Sequence, residues 1–536
     1  MDRRNFVRNL SFVTAASTLG GSSLGCAANQ IYNDVPCLAL ATVPAPAGNM
    51  TYLQASEIGC ALDCDLGTGL NKKTGGAATD DAPTINAAMA AASASNPITL
   101  IIDGGALISG LYMPAGGYWG IQGQGCTTGF FIKAGANSDG IHNGGPNAGV
   151  PADPGPNVPL PSRGSNVTLA NFVLNGNRGN GLNGDSTSGI PQGVTTKAWY
   201  VGINLMNLNN ILIENVVVTN SPSYHFRFSN TGFITVSGCV MSSSGLNTDG
   251  LHFDGPANDI AISNCMFTTG DDAIALNCPE GYSGGISRVS ITGCTFNSFT
   301  MVRLYTGLGP GPENKIDSVT VSNCSGTLVI TGFLVAAYGN DIPNADLSLS
   351  VSNCQVFAPS VLDITTDFSS IALSGVTFIP TGPAGNGYAF ARTYSQSSGT
   401  PYIGASLSLA DCTIQRMGNY PVAALMLPNG STIEALEFSG FALEDPSGTS
   451  YDPTPELLNL VSGRIGQLTI DALTGSHIAA PVSPGGFASI GAVSGGGVLG
   501  TGWAFPDSVM TNGAPYISAT SQQPSIKVNG VVKPYP

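Results

Sequence analysis

Asp249, Asp271, Asp272, His225, His252 and Arg303 fall between Asn220 and Tyr305 of a chain in which charged residues make up only 10%. The stretch holds Asn220-Ser221-Pro222-Ser223-Tyr224-His225, then Asn247-Thr248-Asp249-Gly250, then Gly270-Asp271-Asp272, then Arg303-Leu304-Tyr305. His225 and His252 are two of only four histidines in 536 residues. Carboxylates crowded together cannot all ionise cheaply, so one becomes a neutral acid beside ionised neighbours. Cleavage of a glycosidic bond uses that division: one carboxyl protonates the leaving oxygen and another activates water. The same aspartates admit other readings, as turn residues or as ligands of a calcium ion. A calcium-dependent polysaccharide lyase would use Arg303 to take a proton next to a uronate carboxylate. A third class is a non-catalytic carbohydrate-binding surface protein.

Such residues need a scaffold that brings distant segments side by side. The segments ending in Cys239, Cys265, Cys294, Cys324 and Cys354 read Val-Ser-Gly-Cys, Ile-Ser-Asn-Cys, Ile-Thr-Gly-Cys, Val-Ser-Asn-Cys and Val-Ser-Asn-Cys. The cysteines are spaced by 26, 29, 30 and 30 residues, and Cys412 follows 58 later, two further periods. A period of this length signals a repeat architecture. Within each unit Val289-Ser290-Ile291 and its equivalents alternate as half-buried strands do. Gly238, Asn264, Gly293, Asn323 and Asn353 then supply the residue types that tolerate positive φ. Strand, bend, strand and loop, repeated, make an all-β parallel β-helix whose equivalent residues stack about 4.8 Å apart. The periodic cysteines become a stack of small interior hydrophobes. Cys37, Cys60, Cys64 and Cys126, outside that stack, are the expected bridge formers, in any of three pairings.

Asp249 and Asp271 are 22 residues apart, about one coil, and so are expected side by side. Asp271 and Asp272 would point to opposite faces of a regular strand. Both reach one cleft only if the backbone bends, which Gly270 makes cheap. Arg303 is expected in that cleft. Asn247, His225, His252 and Tyr305 are candidate substrate contacts, Tyr305 sharing the strand parity of Arg303. Trp119 and Trp199 read as core.

Upstream, Thr79-Asp80-Asp81-Ala82-Pro83 opens a helix through about Ala92, with Thr79 or Asp80 as its cap. That helix would cover the open strand edges of the first coil. The organisation expected is a leader over 1–28, a cap region over 29–95, the β-helix over 96–480 and a glycine-rich closing segment over 481–536, with 144–161 as a long loop. The leader begins Asp2-Arg3-Arg4-Asn5-Phe6 and runs into an apolar stretch, which reads as twin-arginine export. Cys26 after Leu24-Gly25 is the alternative point for a lipid anchor. The expected location is periplasmic or secreted. The apolar run is short for a spanning helix. A net charge of −15 argues against nucleic acid as a partner.

Asn-Thr-Asp-Gly, then Gly-Asp-Asp one coil later, with Asn-Ser-Pro-x-x-His upstream, resembles the polygalacturonase family, glycoside hydrolase family 28. The stretch from Thr79 to about Gly125 resembles the start of pectate-lyase-like β-helix proteins. The resemblance implies a right-handed parallel β-helix and an inverting hydrolase acting on a pectin-like polysaccharide without a cofactor. It implies Asp271 as general acid, Asp249 and Asp272 as the pair holding the attacking water, and Arg303 as a contact to a sugar carboxylate. The sequence departs from the family's pattern twice. Ser283-Gly284-Gly285 is the nearest string to the family's Gly-His-Gly and has no histidine. Arg303-Leu304-Tyr305 stands for Arg-Ile-Lys, so one substrate-binding cation is lost. Both departures point toward a less charged polysaccharide.

Overall fold

The computed structural model describes most of residues 50–534; residues 1–49 and several loops, among them 145–159, 180–199, 307–314 and 338–346, lie outside the described residues. The expected leader, Cys26, Cys37, Trp199 and nearly all of the 144–161 loop fall there. The described chain is a parallel β-helix. Strands pair in parallel from Thr51–Gln54, which pairs with Ile98–Ile101, as far as Ser489–Ser494, which pairs with Arg464–Asp471. The ladder therefore runs past the expected boundaries at 96 and 480. A separate antiparallel sheet of Pro515–Ile517, Pro524–Val528 and Val531–Pro534 follows it.

Eight strands position the site: β1 Ile203–Glu214, β2 Phe226–Ser237, β3 Leu251–Phe253, β4 Ile274–Cys278, β5 Thr295–Thr306, β6 Ser325–Ala337, β7 Ser360–Ile364 and β8 Tyr388–Thr393. Their register stacks Ile203, Phe226, Leu251, Ile274, Val302, Phe333, Leu362 and Ala391 in one inward column. Burial of that column in one continuous core is the main term holding the coils together. The next residue of each strand faces outward. That outer column reads Asn204, Arg227, His252, Ala275, Arg303, Leu334, Asp363 and Arg392.

The five predicted bend residues all have positive φ, from 51° at Asn353 to 65° at Gly293. The same bend recurs at Asn171, Asn215, Gly375, Asp411 and Gly440. The amides also link coils: Asn215 Nδ2 donates to Asn171 Oδ1 at 3.1 Å. The cysteines that follow these bends are free and buried. The sulfurs of Cys294 and Cys324 accept from the preceding coil's backbone, with Cys265 N to Cys294 Sγ and Cys294 N to Cys324 Sγ both 3.4 Å. Cys126 is disulfide-bonded. Cys60 and Cys64 are free, contrary to expectation. The reason is packing: Cys60 sits in the main core, and Cys64 joins Leu66, Leu107 and Phe131 in a smaller one.

A helix, α1, spans Ala82–Met89 with Pro83 in its first turn, and Ile85 and Met89 are buried in the core. Its N-cap is Asp81, neither Thr79 nor Asp80. The Asp81 carboxylate accepts from Ala61 N and Leu62 N instead of from the helix, so it ties an upstream loop to the helix start. Asp80 Oδ1 takes the Ala82 N–H at 3.2 Å. Trp119 is buried, as expected.

Candidate active site

The three aspartates meet. One oxygen from each of Asp249, Asp271 and Asp272 lies within 4.8 Å of the others. Asp249 sits in the turn before β3, and Asp271 and Asp272 lie in the turn before β4, one coil further on. The two turns are joined through the backbone: Gly250 N donates to Asp272 O at 3.1 Å. Asp271 and Asp272 escape strand alternation because the chain bends between 270 and 273. The glycine at 270 is needed for a different reason from the expected one. Its φ is not in the left-handed region, but a Cβ there would stand 2.3 Å from Gly245 O and 2.4 Å from Gly245 N. Close contact between coils excludes a side chain.

Each carboxylate is held differently. Asp272, 3% exposed, accepts from Thr300 Oγ1 at Oδ1 (2.7 Å) and from Arg303 Nη1 at Oδ2 (2.9 Å). Asp249, 1% exposed, faces His252 Nδ1 through Oδ2 at 2.7 Å. Asp271 is the most exposed of the three and accepts from Asn247 N at 3.0 Å. Asn247 reaches this position with φ 56°, a conformation asparagine tolerates. Its backbone N–H thereby supports Asp271. Arg303 pairs with Asp272 and lies over the Tyr305 ring, 4.0 Å from the centroid. Tyr305 is half-buried and faces outward with Arg303, as its parity predicted.

The two histidines, expected as substrate contacts, are both fully buried. Their surroundings push their pKa values in opposite directions. His225 Nδ1 lies 2.8 Å from the carbonyl oxygen of Asp249, which only accepts, so Nδ1 carries the proton. Nε2, 2.8 Å from Ser243 Oγ, then accepts from the hydroxyl. Burial, with Arg178 nearby, pushes this ring from its ordinary 6.5 down to about 4. A depressed histidine pKa means that the unfolded chain takes up the proton first on acidification. The neutral ring therefore contributes stability that is complete above about pH 6.5 and lost as pH falls toward about 4. An NMR titration is expected to find His225 still neutral at about pH 5; protonation near pH 6.5 would contradict the assignment.

His252 has carboxylates at both ring nitrogens. Beside Asp249 at Nδ1, Nε2 lies 2.6 Å from Glu280 Oε2 and 2.9 Å from Asp254 Oδ1. Tyr224 stacks on the ring at 3.8 Å and 7°. Burial opposes charge here, but Tyr224, Glu280, Asp249 and Asp254 outweigh it and hold the ring well above its ordinary range. Asp254 is in turn bound by Arg227 Nε at 2.5 Å, and Glu280 accepts from Asn277 Nδ2 at 2.9 Å. Sequence reasoning missed Asp254 and Glu280. Parity could have found Asp254, two residues past His252 on the same face. Glu280 comes from the loop after β4, and no local pattern marks it.

Among the described residues no helix is long and apolar enough to cross a membrane. Residues 166–332 match the family model for glycosyl hydrolases family 28. A probable polygalacturonase of Arabidopsis thaliana is 26% identical over 125 residues, covering 23% of this chain and 26% of that protein. An endo-polygalacturonase of Sclerotinia sclerotiorum is 27% identical over 188 residues, covering 32% of this chain and 48% of that one. The chain thus spans half or less of the length of these relatives. Among solved structures, the surface adhesin PfbA of Streptococcus pneumoniae aligns over 91% of this chain and 98% of its own, with a TM-score of 0.50 at 11% identity, a likeness of fold. The coils that carry the three aspartates therefore lie within the stretch that is similar to the glycosyl hydrolases of family 28.

Proposed function

We propose that this protein is an exported glycoside hydrolase that cleaves a pectin-like or related polysaccharide by acid/base catalysis. The observation that carries the reading is the meeting of Asp249, Asp271 and Asp272 at one point, inside the stretch matched by the family model. Arg303 pairs with Asp272 and His252 with Asp249, and the crowding of three carboxylates favours one proton held among them; the resemblance to family 28 assigns it to Asp271. Asp271 then gives its proton to the glycosidic oxygen as the carbon–oxygen bond breaks. Asp249 and Asp272 seat a water, which attacks the anomeric carbon and gives up its proton to that pair.

The resemblance implies inversion, and a three-carboxylate site supports it, because water is seated by a pair. One observation favours a second reading. The carboxylate oxygens approach within 4.8 Å. Two-carboxylate inverting sites keep about 6.5–9.5 Å between groups, and retaining ones about 5–5.5 Å. Retention would require an aspartate to attack directly, yet both oxygens of Asp272 and one of Asp249 are already hydrogen-bonded. Time-resolved NMR of the sugar released from a panel of uronate and neutral polysaccharides tests both points. The expected first product carries the inverted anomeric configuration; a retained anomer overturns the mechanism, and no product from any polysaccharide overturns the hydrolase reading.

Arg303 is engaged by Asp272 and Tyr305, and Tyr305 stands where the family's pattern has lysine. Both support a substrate with fewer carboxylates than polygalacturonate at the sugar Arg303 faces. Export rests on the twin-arginine pattern at Arg3-Arg4.

A further inference from the structure

The family's pattern places a histidine between Gly-Asp-Asp and the arginine, and this chain has none in that interval. A histidine from a different strand touches the aspartates here. His252 lies on the outer face of β3, between Arg227 of β2 and Ala275 of β4. Its Nδ1 faces Asp249 and its Nε2 faces both Glu280 and Asp254. Carboxylates only accept, so a ring between them donates from both nitrogens. Tyr224 covers one face of the ring, and the ring has no exposed surface.

We propose that His252 is a permanent buried imidazolium, clamped by Glu280 and Asp254, whose work is to orient Asp249 and keep it ionised for catalysis. The proposal rests on the hydrolase reading above and deepens it by adding positioning residues. His252 and Glu280 touch no substrate and act through Asp249.

Charged groups reach the ring from several elements. Asp249 reaches it from the turn before β3, Asp254 from the turn after β3, and Glu280 from the loop after β4. Arg227 neutralises Asp254 from β2, and Tyr224 stacks from the turn before β2. Asn277 holds Glu280 from β4. Among these groups three carboxylates face His252 and Arg227, and Arg227 also acts on buried Asp139. The imidazolium is matched on its far side, so its charge is available to Asp249 without being exposed to water. A neutral ring would leave a nitrogen lone pair against a carboxylate, which is why the site resists losing this proton.

Two variants and one spectrum test this. His252→Asn is expected to lower kcat at least about 100-fold with KM within about threefold, because ground-state binding does not involve the ring. It is also expected to move the acid limb of the pH–rate profile upward by about 1–3 units, the effect of removing a cation from beside a carboxylate. Glu280→Gln keeps an oxygen opposite Nε2 and removes the charge; it is expected to shift the limb the same way by less. A merely structural role would lower the amount of folded protein and leave the limb in place. In histidine-labelled wild-type protein, both ring N–H signals of His252 are expected to persist through pH 8. Folded His252→Asn with near-normal kcat and an unmoved limb overturns the positioning role, and so does a His252 that titrates as a neutral ring near its ordinary pKa. A protein that keeps the doubly protonated ring yet hydrolyses nothing overturns the hydrolase reading and, with it, the catalytic role given to the clamp.

Discussion

Asp271→Asn is expected to reduce polysaccharide hydrolysis by about a thousandfold or more while the protein stays folded, since a positioned acid contributes about 10²–10⁴-fold and a sugar alkoxide leaves poorly without a proton. The fold should tolerate the change. The Asp271 carboxylate is partly exposed and accepts the Asn247 N–H, which an asparagine oxygen also accepts. Loss of rate alone would not separate an acid from any other essential group, so the leaving group is the diagnostic. A substrate whose aglycone is an activated phenol needs little protonation. On it, Asp271→Asn should recover most of the wild-type rate. Asp249→Asn and Asp272→Asn should not recover, because the water they seat is still required. Reducing-end release for the polysaccharide and phenol absorbance for the activated substrate measure the two cases. Near-normal polysaccharide hydrolysis by Asp271→Asn would remove the acid assignment. Recovery by all three variants alike would remove the division of labour.

The lattice of the fold was legible because its signals are periodic. Bend residues recur at one position of every unit, and each of the five picked out has positive φ. The interval between Asp249 and Asp271 is close to one coil, so their meeting followed from spacing alone. What lay outside the repeat was harder to read. Cys60 and Cys64 are uncoupled from the disulfide that Cys126 makes, because packing against the core decided their fate and sequence spacing carries no trace of it. Gly270 was read as a flexible bend, whereas contact with Gly245 is what forbids a side chain. The buried half of the site was least visible. Glu280 enters from a loop, and its partner His252 looked like a cleft residue because a lone histidine beside Asp-Gly gives no sign of whether it faces substrate or carboxylates. Only the outer column of the strands shows that Arg227, His252 and Arg303 belong to one line of charge.

That line continues beyond the site and sets the largest expected effect on stability. Past Leu334, the outer column holds Asp363 on β7 and Arg392 on β8. Arg392 Nε and Nη2 donate to the two Asp363 oxygens at 2.7 and 3.0 Å, and Ser360 Oγ donates to Oδ1 at 2.6 Å. Arg392 is 6% exposed and Asp363 1%. Arg392→Met keeps the length of the stem and removes the charge, which strands a buried carboxylate without its forked partner. Such a break costs about 3–5 kcal/mol, more than the intact pair contributes over an apolar replacement. The double variant Asp363→Leu, Arg392→Met is therefore expected to regain most of the loss, since no charge is left buried. The urea midpoints of the wild type, both single variants and the double variant, compared at one pH, form the cycle. Activity per folded molecule should be unchanged in Arg392→Met, because Leu334 separates this pair from Arg303 in the column. If the double variant is as unstable as Arg392→Met, the pair itself supplies the stability. The charged column would then be a structural spine in its own right, not a set of desolvated charges that merely balance one another.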